Sequence, residues 1–255
     1  MNAVSALARL RALDKPVLTT DDAALALGAE RSAATHTLKR LATAGLLRPI
    51  RHGLWATDLR LDPLLLPEYL TAPFPSYVSF QSALFLHGMV SQIPEVIYVA
   101  SLAQTRRVKT SLGTYSIHRL APSFFGGSET VKNSGVRLAT PEKALLDTLY
   151  LAPARSRLFA HLPEVELPEH FDWDQIKLWV RRIPIGPRRQ SVEQRLDAVL
   201  ATQRRRRGRP ARRARVPARP PPSPRGSRSL LRHLPQRTIT HRRLLAREGR
   251  RRARR

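Results

Sequence analysis

The stretch Arg31-Ser-Ala-Ala-Thr-His-Thr-Leu-Lys-Arg-Leu-Ala-Thr-Ala-Gly-Leu46 decides how the first part of this chain folds. Ala34, Leu38 and Leu41 recur at i, i+4 and i+7, which is the apolar stripe of an amphipathic helix. The opposite face carries hydroxyls, an imidazole and cations but no acid. Such side chains hydrogen-bond base edges and phosphates in the major groove of DNA, although a plain solvated face can look the same. The candidate DNA contacts on this face are Ser32, Thr35, His36, Lys39, Arg40 and Thr43.

The flanking residues predict a winged helix-turn-helix. Leucines spaced by three favour a first helix over residues 3–13. A threonine at Thr19-Thr20 caps a second helix, and Gly28 ends it shortly before the third helix begins. Two short apolar segments around Arg51-His-Gly53 then indicate a β-hairpin with a basic tip. The hairpin, or wing, adds Arg48, Arg51 and His52 to the candidate DNA contacts of this domain, residues 1–57.

Composition divides the rest of the chain into three segments. Residues 58–75 contain four prolines and are expected to form a semi-rigid linker, with Leu64-Leu65-Leu66 packed onto a domain. Residues 76–200 mix short apolar segments with amphipathic helices, which predicts an α+β domain with helix N-caps at Ser79 and Thr140. Residues 201–255 are dominated by arginine, proline and alanine and lack aromatic residues, so we expect a disordered tail.

The net charge of +26 is concentrated in that tail. Its 21 arginines and one glutamate give +20, which leaves only +6 for residues 1–200. Three interpretations of the tail stay open: a polyelectrolyte arm that binds phosphates, an RNA-binding segment, or a stretch translated in a shifted reading frame. Because any of them would bind nucleic acid, such binding alone does not distinguish between them.

Several classes of protein are disfavoured by what the sequence lacks. The absence of cysteine excludes disulfides and thiolate metal sites. No apolar run is long enough to span a bilayer, and charges at Arg9 and Arg11 do not fit a signal peptide. We therefore expect a cytoplasmic protein without a membrane partner.

Catalytic and metal sites are not expected either. Glu142, Lys143 and Asp147 lie on one predicted helix but do not converge on one point, and Lys143 and Asp147 can pair at i and i+4. The histidines lack metal-ligand spacing, and His87 at a helix end is interpreted as structural. We therefore predict a protein that is not an enzyme and that has no cofactor, no metal and no catalytic residue.

A family resemblance covers residues 1–200. Its most specific block is Leu138-Ala-Thr-Pro-Glu-Lys-Ala-Leu-Leu-Asp147, supported by Pro75-Ser-Tyr-Val-Ser79, Ala83-Leu-Phe-Leu-His-Gly88 and Pro94-Glu-Val-Ile-Tyr98. In these motifs the chain resembles the AbiE-type antitoxins, which are transcriptional regulators of bacterial abortive-infection operons. The tail lies outside the family pattern.

The resemblance implies a function in two parts. The first domain would bind inverted repeats in its own promoter and act as an autorepressor. The second domain would act as the antitoxin of a type IV toxin–antitoxin system, countering a neighbouring nucleotidyltransferase-like toxin without forming a stable complex. The residues proposed for an antitoxin surface, which could also be merely a solvated sheet edge, are Arg106, Arg107, Lys109, Lys132 and Arg137.

Two other functions stay open. The chain could be a winged-helix transcriptional regulator whose second domain senses a small ligand, or an RNA-binding protein that depends on the tail. A toxin gene next to this one would favour the antitoxin, whereas a ligand that releases the protein from its operator would favour the sensor.

Overall fold

Helices and strands alternate along the chain and build two β-sheets, so the fold is mixed α+β, as the sequence predicts. The computed structural model describes residues 2–153, 159, 162 and 164–207. Most of the predicted tail lies outside the described residues. Its first residues, up to Arg207, continue the last helix, so the predicted boundary at residue 201 is wrong. The side chain of Gln203 donates a hydrogen bond to the Val165 carbonyl (2.8 Å), which ties this turn to the fold.

The N-terminal part, residues 2–57, contains three helices and a three-stranded antiparallel sheet in the order β1-β3-β2. Thr19 caps the second helix as predicted, in a capping box with Asp22. Gly28 ends that helix with φ +61, a left-handed conformation that glycine adopts without strain. The elements are α1 Ala3–Arg11, β1 Val17–Thr19, α2 Thr20–Leu27, α3 Arg31–Thr43, β2 Arg48–Arg51 and β3 Leu54–Ala56.

The C-terminal part, residues 76–207, is built on a six-stranded sheet in the order β6-β7-β5-β4-β9-β8. Its neighbouring strands are antiparallel except for the pairs β4–β9 and β5–β7, which are parallel. The strands are β4 Ser76–Val78, β5 Ile97–Ser101, β6 Arg106–Thr110, β7 Gly113–Arg119, β8 Ser128–Thr130 and β9 Arg137–Ala139. The helices are α5 Phe80–Leu86, α6 Pro141–Leu151, α7 Trp173–Arg181 and α8 Pro187–Arg207.

The connecting segment, residues 58–75, contains helical turns in addition to the packing expected for Leu64-Leu65-Leu66, which is confirmed. It forms a 3-10 helix at Pro63–Leu65 and the helix α4 at Pro67–Thr71. Its leucines pack into a core that draws residues from all three segments, because burying apolar side chains outweighs the extended preference of a Pro-rich chain. This shared core consists of Val17, Ile50, Ala56, Leu61, Leu66, Leu70, Val99, Val108, Tyr115 and Ile117.

A buried ion pair lies at the centre of the C-terminal part. The Lys143 ammonium on α6 contacts Asp147 one turn later, and both side chains are 0% exposed. Asp147 also accepts hydrogen bonds from the hydroxyls of Ser79 (2.6 Å) and Tyr77 (3.1 Å). The Tyr77 hydroxyl in turn accepts one from Lys143 (3.0 Å). The pair is therefore hydrogen-bonded to β4 and to the residue before α5, as buried charges require.

Aromatic rings cover the ammonium group of this pair. The Lys143 Nζ atom lies 4.1 Å from the ring centre of Phe124 and 4.9 Å from that of Trp179 on α7. Gly127 leaves room for this arrangement, since a Cβ there would lie 2.8 Å from the Trp179 ring. Burial lowers the pKa of Lys143 and raises that of Asp147, while their direct contact opposes both shifts.

Two sequence interpretations at this centre need correction. Ser79 precedes α5, but its hydroxyl makes no capping hydrogen bond and donates to Asp147 instead. Glu142 is more than a first-turn acid, because it is 8% exposed and accepts a hydrogen bond from the backbone of Asp172 (3.0 Å). Both side chains hydrogen-bond to residues that are distant in sequence, and local spacing does not reveal such partners. Thr140 caps α6 as predicted, accepting from the Lys143 backbone.

We predict that Asp147→Ala lowers the free energy of unfolding by about 3–5 kcal/mol, because it leaves the Lys143 charge buried without its partner. Urea denaturation followed by circular dichroism measures this loss. Asp174→Ala is the matched control, since it breaks an exposed ion pair with Lys177 on α7 and should cost far less. Equal losses in the two variants would contradict the structural role of the buried pair.

Candidate nucleic-acid interface

The orientation of α3 is fixed by its apolar side. Ala34, Leu38 and Leu41 are all 0% exposed and pack with residues of α1 and α2 such as Leu10 and Leu27. The predicted stripe is therefore confirmed as the buried side of the helix. The polar side of α3 necessarily faces outward.

The outward side of α3 presents the polar residues that the sequence singles out. Thr35 is half-buried, and its hydroxyl donates to the Arg31 carbonyl (2.8 Å), as that of Thr43 does to the Lys39 carbonyl (3.1 Å). Both hydroxyl oxygens keep lone pairs that can accept hydrogen bonds. Within the described residues, Lys39 and Arg40 form no ion pair. The exposed members of the set are Ser32, His36, Lys39, Arg40 and Thr43.

The wing is the hairpin of β2 and β3. Arg51 and His52 are exposed at its tip, where Gly53 adopts φ +77. The indole of Trp55 donates a hydrogen bond to the Thr20 hydroxyl (3.2 Å), which attaches the wing to the start of α2. The basic tip and α3 therefore belong to one small framework around α2.

The sequence did not predict the strand β1. Val17–Thr19 pairs with β3 in antiparallel register, with Leu18 opposite Trp55. A strand of three residues directly before a helix cap has no alternation long enough to reveal it. The pairing makes β3 of the wing the middle strand of a three-stranded sheet and leaves β2 at its edge.

Arg48 does not point freely into solvent. It is half-buried, and its guanidinium donates to the Ser111 carbonyl (2.8 Å) in the turn between β6 and β7. The guanidinium thus has one partner within the protein, and its role as a DNA contact stays a prediction for the donors that remain. Arg51 and His52 remain the exposed basic groups of the wing.

Ser111 clamps the wing to the second sheet. Besides accepting from Arg48, it donates its backbone N–H to the Ile50 carbonyl (3.0 Å) and its hydroxyl to the Pro49 carbonyl (2.7 Å). The sequence offers no signal for this clamp, because a serine in a turn looks ordinary until its partner strand is known. Together with the shared core, the three hydrogen bonds join the wing to the C-terminal part.

Two of the five residues proposed for an antitoxin surface bind α4. Arg106 donates to the Leu70 carbonyl (2.7 Å), and Arg137 lies 3.7 Å from the Glu68 carboxylate. These two cations thus hold the connecting segment against the sheet.

The other three residues do not gather at one place. Arg107 and Lys109 are exposed on β6 at one edge of the sheet, whereas Lys132 is exposed after β8, which forms the opposite edge. Adjacent strands lie about 4.8 Å apart, so the two edges are separated by roughly 24 Å. The structure therefore splits the proposed surface into separate basic sites.

The residues considered for catalysis or metal binding have structural surroundings. His87 Nε2 lies 2.7 Å from the Ala139 carbonyl, and burial lowers its pKa, which fits the structural role expected for it. Over the part of the chain that the structure describes, no three His, Asp or Glu side chains are grouped as metal ligands would be. Among the described helices, none has the length and apolar character needed to cross a bilayer.

Comparison with known proteins leaves the family open. No family model and no curated protein matches this chain. The likeness to AbiE-type antitoxins therefore rests on the quoted sequence motifs alone.

The shared core predicts that the N-terminal part depends on the rest of the chain. Residues 1–57 alone would expose Val17, Ile50 and Ala56, which are at most 3% exposed in the whole protein. We expect this fragment to be less stable than residues 1–207 by about 2–4 kcal/mol, because it forgoes that apolar burial. Chemical denaturation followed at Trp55 measures the fragment. An unfolding free energy as large as that of the longer chain would contradict the role of the shared core.

Proposed function

We propose that the protein is a sequence-specific DNA-binding repressor, with residues 1–57 acting as a winged helix-turn-helix. The observation that carries the proposal is the acid-free outward side of α3, opposite three fully buried apolar residues. α2 and α3 supply the helix-turn-helix pair, and the hairpin of β2 and β3 supplies the wing. The function is regulatory, without catalysis.

The dimensions of α3 suit a major groove. Its 13 residues make a rod about 20 Å long, and a B-DNA major groove about 12 Å wide admits such a helix. Ser32, His36, Lys39 and Thr43 follow one another at i, i+4, i+7 and i+11, so they form one stripe along the outward side. We propose that this stripe reads base edges. Arg40, beside it, is assigned to a phosphate.

The wing extends the proposed interface. Arg51 and His52 at its tip would contact the DNA backbone beside the groove occupied by α3. Because Ser111 fixes β2 against the second sheet, the wing presents this tip without first having to be ordered. Two copies on an inverted repeat would place two α3 helices in successive major grooves, as in other proteins of this class.

We also propose an antitoxin role, supported by the resemblance to AbiE-type antitoxins. The protein would repress its own operon and counter a nucleotidyltransferase-like toxin encoded beside it, without a stable complex. In the most specific block of the resemblance, Lys143 and Asp147 are buried. That block therefore stabilises the C-terminal part, and the surface that counters the toxin lies elsewhere on it.

A second candidate function is a winged-helix regulator whose C-terminal part senses a small ligand. The observation that favours it is a cleft on the six-stranded sheet, lined by Arg107, Tyr98 and Ser116 among others. Ligand binding and repression are separate properties, so each can be measured without the other.

DNA recognition is tested with residues 1–207, which lack the 17 arginines that follow and their non-specific contribution. An operator is selected from random duplexes. We expect Lys39→Ala and Arg40→Ala each to weaken binding, and Arg40→Ala also to lower the salt slope by about one, because one phosphate is no longer neutralised. His36→Ala should relax base preference at one position, worth roughly 1–3 kcal/mol of discrimination. Gel shifts at several salt concentrations measure the affinity, salt slope and base preference of the three variants, with Lys177→Ala as control.

Unchanged affinity and base preference in all three variants would exclude α3 as the reading helix. Lys177→Ala removes an exposed lysine from α7 and should bind the operator as the parent does. A weakening of the same size in this control would instead indicate a general effect of net charge.

The antitoxin role is tested by co-expression with the neighbouring nucleotidyltransferase-like protein. Expressed from an unrelated promoter, the full chain should restore growth, and so should its variant with both Lys39→Ala and Arg40→Ala. Repression is not needed when an external promoter sets the expression level. Colony counts decide the matter, and growth arrest despite soluble full-length protein would refute the antitoxin proposal while leaving DNA binding untouched.

A further inference from the structure

A cleft of about 370 Å³ opens on the six-stranded sheet. Tyr98 and Arg107 alternate along their strands with Val99 and Val108, which belong to the shared core. Successive side chains of a strand point to opposite faces, so the cleft lies on the face away from the N-terminal part. Its polar lining consists of Gln81, Gln92, Glu95, Tyr98, Arg107 and Ser116.

Three of these residues form a row across the sheet. Ser116 on β7 is the register partner of Arg107 on β6 and also of Tyr98 on β5. Neighbouring strands lie about 4.8 Å apart, so a guanidinium, a hydroxyl and a phenol ring line up over roughly 10 Å. That length suits a small molecule with an anionic end and a ring.

The ring of Tyr98 is held in place from behind. It stacks with His118 at an interplanar angle of 19° and meets the edge of Phe159 at 5.7 Å between ring centres. His118 is itself hydrogen-bonded to the Ser116 hydroxyl (2.8 Å), and burial lowers its pKa to about 4, so it is neutral at pH 7. A half-buried, immobilised ring offers a stacking surface at little entropic cost.

Another lining residue of the cleft, Gln81, carries an unsatisfied polar group. Gln81 Oε1 is buried without a hydrogen-bond partner among the described residues. Its neighbour Phe80 has φ +54, a conformation that costs energy for a bulky residue and is typical of functional sites. Phe80 is itself buried and lies outside the lining, whereas Gln81 lines the cleft and brings to it an amide whose oxygen no group in the described part of the fold satisfies.

The charges of the cleft are mixed. Arg107 attracts anions, and Glu95, exposed at the rim, attracts groups that donate N–H hydrogen bonds. Both lie close enough to Tyr98 to affect its hydroxyl, Arg107 lowering its pKa and Glu95 raising it, although burial is the larger cause of its raised pKa. A ligand that satisfies both must carry an anionic group and an N–H donor.

We propose that this cleft binds a small molecule with a planar ring, an anionic group and an N–H donor. The ring stacks on Tyr98, the anion pairs with Arg107, and the donor reaches the exposed Glu95 carboxylate. A nucleoside monophosphate and an aromatic amino acid share this chemistry, and clefts of this volume hold ligands of that size. The proposal rests on the second candidate function and supplies its ligand class.

Isothermal titration calorimetry on the full chain without DNA separates the two sources. One arm uses AMP, GMP and CMP, and the other uses tryptophan and phenylalanine. Two further probes are incomplete: adenosine lacks the anionic group, and inorganic phosphate lacks the ring. In one arm we expect saturable binding with a dissociation constant below about 1 mM. Both incomplete probes should bind much more weakly.

Variants then assign the binding to the cleft. Arg107→Ala should weaken it roughly tenfold or more, as removal of a charged hydrogen bond does, and Tyr98→Leu should weaken it similarly because the ring no longer stacks. Arg119→Ala is the matched control, because it removes an exposed arginine of β7 outside the cleft. Arg107 is exposed, so its variant keeps the fold and remains informative if Tyr98→Leu unfolds.

Three outcomes would overturn the proposal. The first is no saturable binding in either arm up to about 1 mM. The second is binding that Arg107→Ala and Arg119→Ala leave equally strong, which would place the ligand on other cations such as the arginines of the tail. The third is binding of phosphate as strong as that of the nucleotides, which would show an anion site without ring recognition. These outcomes leave the proposed DNA binding in place, because operator binding is measured in a separate experiment without ligand.

Discussion

The buried pair of Lys143 and Asp147 is the constraint on which the rest of the C-terminal part depends. Two charges removed from water remain stable only when their other hydrogen-bonding positions are filled, and here Tyr77, Ser79 and aromatic rings fill them. Those partners come from β4, from the start of α5, from the segment before β8 and from α7. The sheet centre and the helices on one of its faces are therefore fixed around a single ion pair.

The opposite face of the same sheet carries the shared core, and this core attaches the N-terminal part to the sheet. Val108 and Tyr115 pack with Ile50 of the wing, while Ser111 bonds the backbone of β2. The proposed DNA-reading helix is thus attached to a sheet that also forms a cleft on its other face. A ligand in that cleft would contact β5, β6 and β7, the strands that hold the wing. This is a physical route by which a bound molecule could alter the wing, and hence DNA binding.

Local signals in the sequence were enough to predict α3, its buried stripe and the caps at Thr19 and Thr140, because each depends on residues within one or two turns. Two features depended on distant partners and were missed: the strand β1 and the hydrogen bonds of Ser79. For the connecting segment, packing was predicted at Leu64-Leu65-Leu66 but the helical turns were not. Arg48 shows the same limit within the candidate site, because its hydrogen bond to the Ser111 carbonyl joins residues 63 positions apart and leaves no local signal in the sequence. The five cations proposed for an antitoxin surface were grouped by composition, and only the strand order revealed that Arg107 and Lys109 lie at one edge of the sheet and Lys132 at the other.

The proposed position of α3 in a major groove is tested most directly by dimethyl sulfate footprinting of residues 1–207 on the selected operator. The reagent methylates guanine N7, an atom that only the major groove exposes. We expect guanines within the site to be protected in the saturated complex, and this protection to vanish when the operator is replaced by unrelated duplex. Guanine N7 atoms that stay fully reactive throughout a saturated site would contradict α3 as the reading element.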